Sequence, residues 1–347
     1  MVHRKYLSPK MMVRQRHRTP LSWAAESEQY EVVRVLLQKK DIDVNKVDDL
    51  GRSPLFWAAR MGHTNVIALL LGRDDIAPDL VDNFGRAPLS QAAQAGKVGV
   101  VQLLLERKDV DTSLQDSHNQ TPILWAAKGG HEGLVELLLE QGGINPNLAD
   151  DKDKTPLLWA AKMGHTGVVK LLIACKAVDQ LKKDGKGRTP LSWAALRGNT
   201  EMVKLLLEEE NASANAYDNF GKTPLHHAVK FGQATVVDLL LQLPDIKPNI
   251  SSFDGETALS CAARFDKIEI AKLLLEHSYA SPHWEDVLVQ TPLSFAAQNG
   301  NEEMVKLLLS YGCVDSHVPD RVGLSPLDHA VQRGHHGVVR LLGGGAD

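Results

Sequence analysis

Few side chains in this sequence stand where they could do chemistry together. Asp328 and His329 are adjacent, and a carboxylate and an imidazole are what a general acid–base step needs. Nothing near them supplies a nucleophile or an orienting group. His226-His227 and His335-His336 are also adjacent. Neighbours on a helix do not share a face, so neither pair reads as two ligands of one metal. Cys175, Cys261 and Cys313 lie far apart, with neither zinc spacing nor the density of a disulfide scaffold. GxSxG, HExxH, the phosphate-cradling GxxxxGK[ST] and a GxGxxG after a strand are all missing from the sequence. The expectation is a protein that is not an enzyme, with no cofactor and no metal. What remains for function is binding, and the candidates are basic, aromatic and apolar side chains that recur at fixed spacing.

That spacing is the dominant fact about the sequence. Thr19-Pro20-Leu21 returns every 34 residues, with Pro at 20, 54, 88, 122, 156, 190, 224, 292 and 326 and Ala258 in the one remaining place. The chain is therefore an array of ten units, not the two domains that 347 residues would suggest. Proline suits the first position of a helix, where its missing N–H costs nothing. The Thr or Ser before it can cap that helix. Four residues after the proline position every unit has Ala, as at Ala24, Ala58 and Ala92, which lets neighbouring helices approach closely. A Gly then ends the first helix in most units, as at Gly62 and Gly130. A second helix carries branched residues and a Leu triplet, as in Val203-Lys204-Leu205-Leu206-Leu207. An Asp-x-x-Gly turn, clearest at Asp82–Gly85 and Asp218–Gly221, leads to the next unit.

The pattern G-x-T-P-L-x-x-A-A-x-x-G-H-x-x-V-V-x-L-L-L resembles the ankyrin repeat, across nearly the whole chain. The resemblance implies an all-α solenoid of stacked helix-turn-helix units joined by β-turn or hairpin fingers. It also implies that His63, His131, His165 and His335 after the helix-ending Gly are structural. Two departures stand out. The period is 34 where the family usually has 33, with the extra residue after the second helix. The His of the family's T-P-L-H appears only as His226, so the inter-repeat hydrogen bond it makes elsewhere must be absent or differently made in the other units. Variants such as TPLSWAA and LLWAAKMGH are similar to ankyrin arrays of filamentous fungi, which stand alone or form the tails of large NLR-like receptors. A ligand-sensing tail of such a receptor is therefore one alternative.

Composition is ordinary: 43% hydrophobic, 24% charged and a formal net charge of −4, with no apolar run long enough to span a membrane. Trp is the exception, 6 residues against 7 Phe and 5 Tyr. Trp23, Trp57, Trp125, Trp159 and Trp193 all stand three after the proline. This ladder is expected to pack between repeats. The other reading of it is an aromatic track for a small molecule, in a receptor or a specialised enzyme. Residues 1–13 are expected to be a basic, mobile arm, and 14–347 one domain whose last repeat is truncated. Arg4, Lys5, Lys10, Arg14, Arg16 and Arg18 make the start of the chain basic, so the expected localisation is cytoplasmic or nuclear.

In the family, partners meet the turn tips and the exposed side of the first helices. Two before the proline this chain has Arg18, Arg52, Arg86, Lys154, Arg188 and Lys222, and six after it Arg60, Lys128, Lys162, Leu196, Lys230 and Arg264. Met61, Met163, Arg197, Phe231 and Phe265 follow one residue later, and Phe84 and Phe220 sit on turn tips. Acids crowd the second helices instead, as at Glu136, Glu140 and Glu302-Glu303. The expected partner-binding set is Arg60, Met61, Phe84, Lys162, Met163, Arg188, Leu196, Arg197, Phe220, Lys222, Lys230, Phe231, Arg264 and Phe265. These positions are expected to form a basic concave face, which calls for an acidic protein or peptide segment. Nucleic acid is disfavoured, because the acidic outer face repels a long polyanion. The expected state is a monomer that does not insert into membranes.

Overall fold

The computed structural model describes residues 17–208, 213–277, 281–311 and 315–343. The described chain is helical, with twenty helices and no strand among the described residues. Two compact units are present, one ending at Asp179 and one beginning at Gln180. The first unit contains α1 (Pro20–Glu26), α2 (Tyr30–Leu37), α3 (Pro54–Met61), α4 (Thr64–Leu71), α5 (Pro88–Gln94), α6 (Val98–Leu105), α7 (Pro122–Gly129), α8 (Glu132–Glu140), α9 (Pro156–Met163) and α10 (Thr166–Ala174). The second contains α11 (Pro190–Arg197), α12 (Thr200–Leu207), α13 (Pro224–Lys230), α14 (Ala234–Leu241), α15 (Ala258–Arg264), α16 (Ile268–Glu276), α17 (Pro292–Asn299), α18 (Glu302–Ser310), α19 (Pro326–Gln332) and α20 (His336–Leu342). Within each unit odd-numbered helices stack on one another, and so do even-numbered ones.

The sequence explains how most of the first helices start and stop. In α3, Ser53 Oγ accepts from the Phe56 amide and Pro54 opens the helix. Gly62 closes it at φ 90°, a left-handed cap. The same place in the first and eighth repeats is taken by Glu28 and Asp266, also at positive φ. The core is the Leu after each proline, the Ala pair and the Val and Leu of the second helices: Leu55, Ala58, Ala59, Val66, Ile67 and Leu70 in the second repeat are all buried. A buried Val, Leu or Ile contributes about 1.5–3 kcal/mol by leaving water.

Inter-repeat bonds fix the stacking. His63, His131, His165 and His335 each point a ring nitrogen at a carbonyl one repeat back, those of Glu26, Gln94, Lys128 and Gln298. His226 reaches forward to the Glu256 carbonyl at 2.9 Å, the bond expected of the single T-P-L-H unit. The turns link as well: the Phe253 amide donates to Phe220 O, and Ser117 to Phe84 O. The final helix is 7 residues long, with Leu342 buried. The expected basic arm, residues 1–13, lies outside the described residues, as do Arg14, Arg16 and Cys313.

Candidate functional site

A buried turn Asp is the keystone of the exposed edge in eight of the repeats. Asp48 Oδ1 accepts from the Leu50 and Arg52 amides, at 2.9 and 3.0 Å. Its Oδ2 accepts from the Arg52 guanidinium and from Trp57 Nε1. Burial pushes Asp48 up, but the Arg52 side chain and the two amides outweigh it and hold the carboxyl below its ordinary value. Trp125, Trp159 and Trp193 donate likewise to Asp116, Asp150 and Asp184. His227 and His329 take the indole's place, bonding Asp218 and Asp320. So Asp328-His329 is no acid–base pair: His329 is held by Asp320, and Asp328 caps α19 through Ser325. The Trp column is thus more than inter-repeat packing, since its N–H groups satisfy buried carboxylates.

The basic columns flank that row of rings. Arg18 stands 4.1 Å over both Trp23 and Trp57, and Arg52 4.1 Å over Trp57. Arg60 lies 5.6 Å from the same ring, and Lys162 4.4 Å from Trp159. Arg18 also pairs with Glu26 of the first repeat.

The column two before the proline is largely committed. Arg188 pairs with Asp184, whose carboxylate is fully buried, and lies 3.8 Å over Trp193. Lys222 donates to Glu256 at 3.0 Å. Both were expected to face a partner, yet each is held by a carboxylate of the fold. Arg86 is spent in the same way on Asp82. The later column is freer. Arg264 lies 4.3 Å over Phe295 and 3.4 Å from Glu256 Oε1, and Lys230 lies 5.4 Å over Phe265. Neither Lys186 nor Lys230 has an ion-pair partner among the described residues.

Two clefts open on these edges. In the first unit a cleft of about 350 Å³ is walled by Trp125 and Trp159, with Phe84 and Arg86 at its rim. Lys128 Nζ sits 4.4 and 4.5 Å from the two indoles, occupying the faces a stacking ligand would need. Of the expected set the first unit holds Arg60, Met61, Phe84, Lys162 and Met163, of which Phe84 lines this cleft, half exposed, while Met61 and Met163 are exposed. In the second unit a cleft of about 320 Å³ gathers Arg188, Leu196, Phe220, Lys222, Lys230 and Phe231 from the expected set. Sequence reading missed Lys186, His227, Asp218 and Asp254, which line it too. Phe220 and Phe231 are about half exposed there, at 55% and 49%. Arg197, Arg264 and Phe265 are exposed but do not line the cleft. Among the described residues no group of three or more His, Cys, Asp or Glu could hold a metal ion. No described helix is long and apolar enough to cross a membrane.

A family model for ankyrin repeats in three copies matches residues 89–184, 175–252, 210–286, 244–315 and 278–347, and a second for ankyrin repeats in many copies matches 21–71. The chain belongs to the ankyrin-repeat family. No curated protein matches it. Ankyrin repeats generally mediate protein–protein interactions and are generally non-enzymatic modules.

Proposed function

We propose that this protein is a non-enzymatic scaffold that binds an acidic protein or peptide segment through the basic edge of its second unit. The observation that carries the reading is the 320 Å³ cleft, where Lys186 and Lys230 stand without ion-pair partners among the described residues beside the half-exposed rings of Phe220 and Phe231. Exposed aromatic rings are the kind of anchor an interface hot spot uses, and the cations beside them set the charge of the partner. Asp218 is turned inward onto His227 and Asp254 is the one further acid, so the lining leans positive. Arg197 and Arg264 extend the same charge along the first helices. The scaffold acts as a monomer inside the cell.

The test is a titration of a fluorescein-labelled glutamate-rich peptide by anisotropy, at low and at physiological salt. Lys186→Glu with Lys230→Glu should weaken binding by roughly tenfold or more, and added salt should do the same. Equal binding by wild type and variant sinks the charge argument. A small-molecule receptor built on the Trp row is the weaker reading, because Lys128 already covers Trp125 and Trp159.

A further inference from the structure

Beyond the cleft, the turns of the second unit carry a second group of exposed rings. Tyr217 and Phe253 are 53% and 66% exposed, and neither lines the cleft. Their rings meet edge to face, with centroids 6.2 Å apart. Both are held in place. A Cβ on Gly221 would lie 2.9 Å from Phe253 Cδ1, so the ring rests directly on the glycine of the preceding turn. The Phe253 amide is tied to Phe220 O at 2.9 Å, which joins this pair to the cleft wall. Lys183 Nζ donates to Tyr217 O at 2.8 Å and stands 5.2 Å over the Tyr217 ring. Lys182 and Lys186 are exposed on the same preceding turn. The acids of these turns, Asp184 and Asp218, are buried and engaged, which leaves Asp254 as the exception.

We infer that the partner segment crosses the turn tips of the second unit, seating an apolar side chain against Tyr217, Phe220 and Phe253 while its carboxylates meet Lys182, Lys183 and Lys186. This inference rests on the acidic-partner reading above and adds to it. The occupant is an acidic segment with apolar, preferably aromatic, residues interspersed. Three rings half exposed or more on adjacent turns form an apolar patch of the kind that marks an interaction surface. The lysines around it set the charge of what can cover it. Preorganised rings lose little entropy on binding.

Anisotropy titrations of the whole chain test this with three labelled peptides, repeating Glu-Glu-Phe, Glu-Glu-Ala and Lys-Lys-Phe. The Glu-Glu-Phe peptide should bind roughly tenfold or more tightly than Glu-Glu-Ala, the size of one hot-spot contact. The Tyr217→Ala, Phe253→Ala double variant should lose that preference and keep the Glu-Glu-Ala affinity, while still unfolding cooperatively in urea with a midpoint lowered only by the lost ring pair. Equal affinity for the two acidic peptides, or a variant that keeps the full preference, overturns the inference and leaves the acidic-partner reading standing. Failure of both acidic peptides to bind, or tightest binding by Lys-Lys-Phe, overturns both.

Discussion

Trp159 Nε1 donates to Asp150 Oδ2 at 2.7 Å, nine residues back along the chain. Asp150 Oδ1 meanwhile accepts from the Lys152 and Lys154 amides, so one carboxylate ties the turn to itself and to the following helix. The same nine-residue link, with Trp or His as donor, recurs through both units.

Trp159→Phe keeps most of the ring and removes the donor. A buried carboxylate oxygen then loses a partner, which costs about 1–3 kcal/mol. Trp159→His should cost less, because His227 and His329 show that an imidazole reaches the same oxygen. Urea midpoints of the two variants check the order. A His variant no better than Phe removes the hydrogen bond from the account and leaves packing alone.

The repeat array, the Pro-led helices and the Gly caps could be read from residue types, since each is a local backbone requirement, whereas the structural role of the His row, which bonds one repeat back, came from the family resemblance. The Asp–Trp link could have been read too. Asp48, Asp116, Asp150, Asp184, Asp218 and Asp320 each stand nine before a Trp or His, and Ser252 stands nine before Cys261. Asp82 before Gln91 and Asp286 before Phe295 break the pattern. Which cations were spent could not be read. Arg188 and Lys230 both line the cleft, yet one is locked onto Asp184 and the other has no ion-pair partner among the described residues. Charge pairing across a turn depends on side-chain direction, and composition does not carry it.

Asp79 occupies a place where other repeats use Asn. Asn45, Asn147 and Asn215 each accept from an amide and donate to a carbonyl of the next repeat. Asp79 Oδ2 accepts from the Asp111 amide, but Oδ1 is buried with no hydrogen-bond partner. By the register of the other repeats, Oδ1 faces the Asp109 carbonyl. Burial, with Asp111 and Asp109 nearby, raises the Asp79 pKa. A raised folded pKa means its ionisation costs stability as pH rises. Asp79→Asn should therefore stabilise by about 1 kcal/mol at neutral pH, by supplying the missing donor. The gain should shrink in acid, where Asp79 itself carries a proton. Thermal melts across pH check it, and a gain that grows in acid contradicts it.

His226 is buried, and burial pushes its pKa from 6.5 to about 4, although the Glu256 carbonyl pulls the other way. The unfolded chain therefore takes up a proton that the folded chain refuses between those values. Stability from this group is complete above about pH 6.5 and is lost as pH falls towards 4. Most other repeats have Ser or Leu here, and Ser294 still bonds Thr291. His226→Ser should flatten the acid limb of the stability profile by up to one proton, while lowering stability at neutral pH through the lost bond to Glu256 O. Chemical denaturation at several pH values gives the slope. An unchanged slope means His226 already titrates normally in the folded protein.

The eighth repeat reverses the charges of its neighbours. Ser252 stands where eight of the other repeats have Asp, Arg14 being the exception, and Glu256 where all but the last, with Leu324, have a cation or Gln. The Glu256 carboxylate is buried, bonded by Lys222 at 3.0 Å with Arg264 3.4 Å away. Glu256→Arg alone places a third cation between these two and removes their anion, at a cost of about 3–5 kcal/mol for a broken buried pair. Adding Ser252→Asp rebuilds the Asp–Arg arrangement seen at Asp48 and Arg52. The double variant should therefore recover part of the loss, with a coupling of about 1–3 kcal/mol between the two sites. A full cycle of urea midpoints measures the coupling. Strict additivity would mean that Ser252 and Glu256 changed independently, and that the reversed pair is held by Lys222 and Arg264 alone.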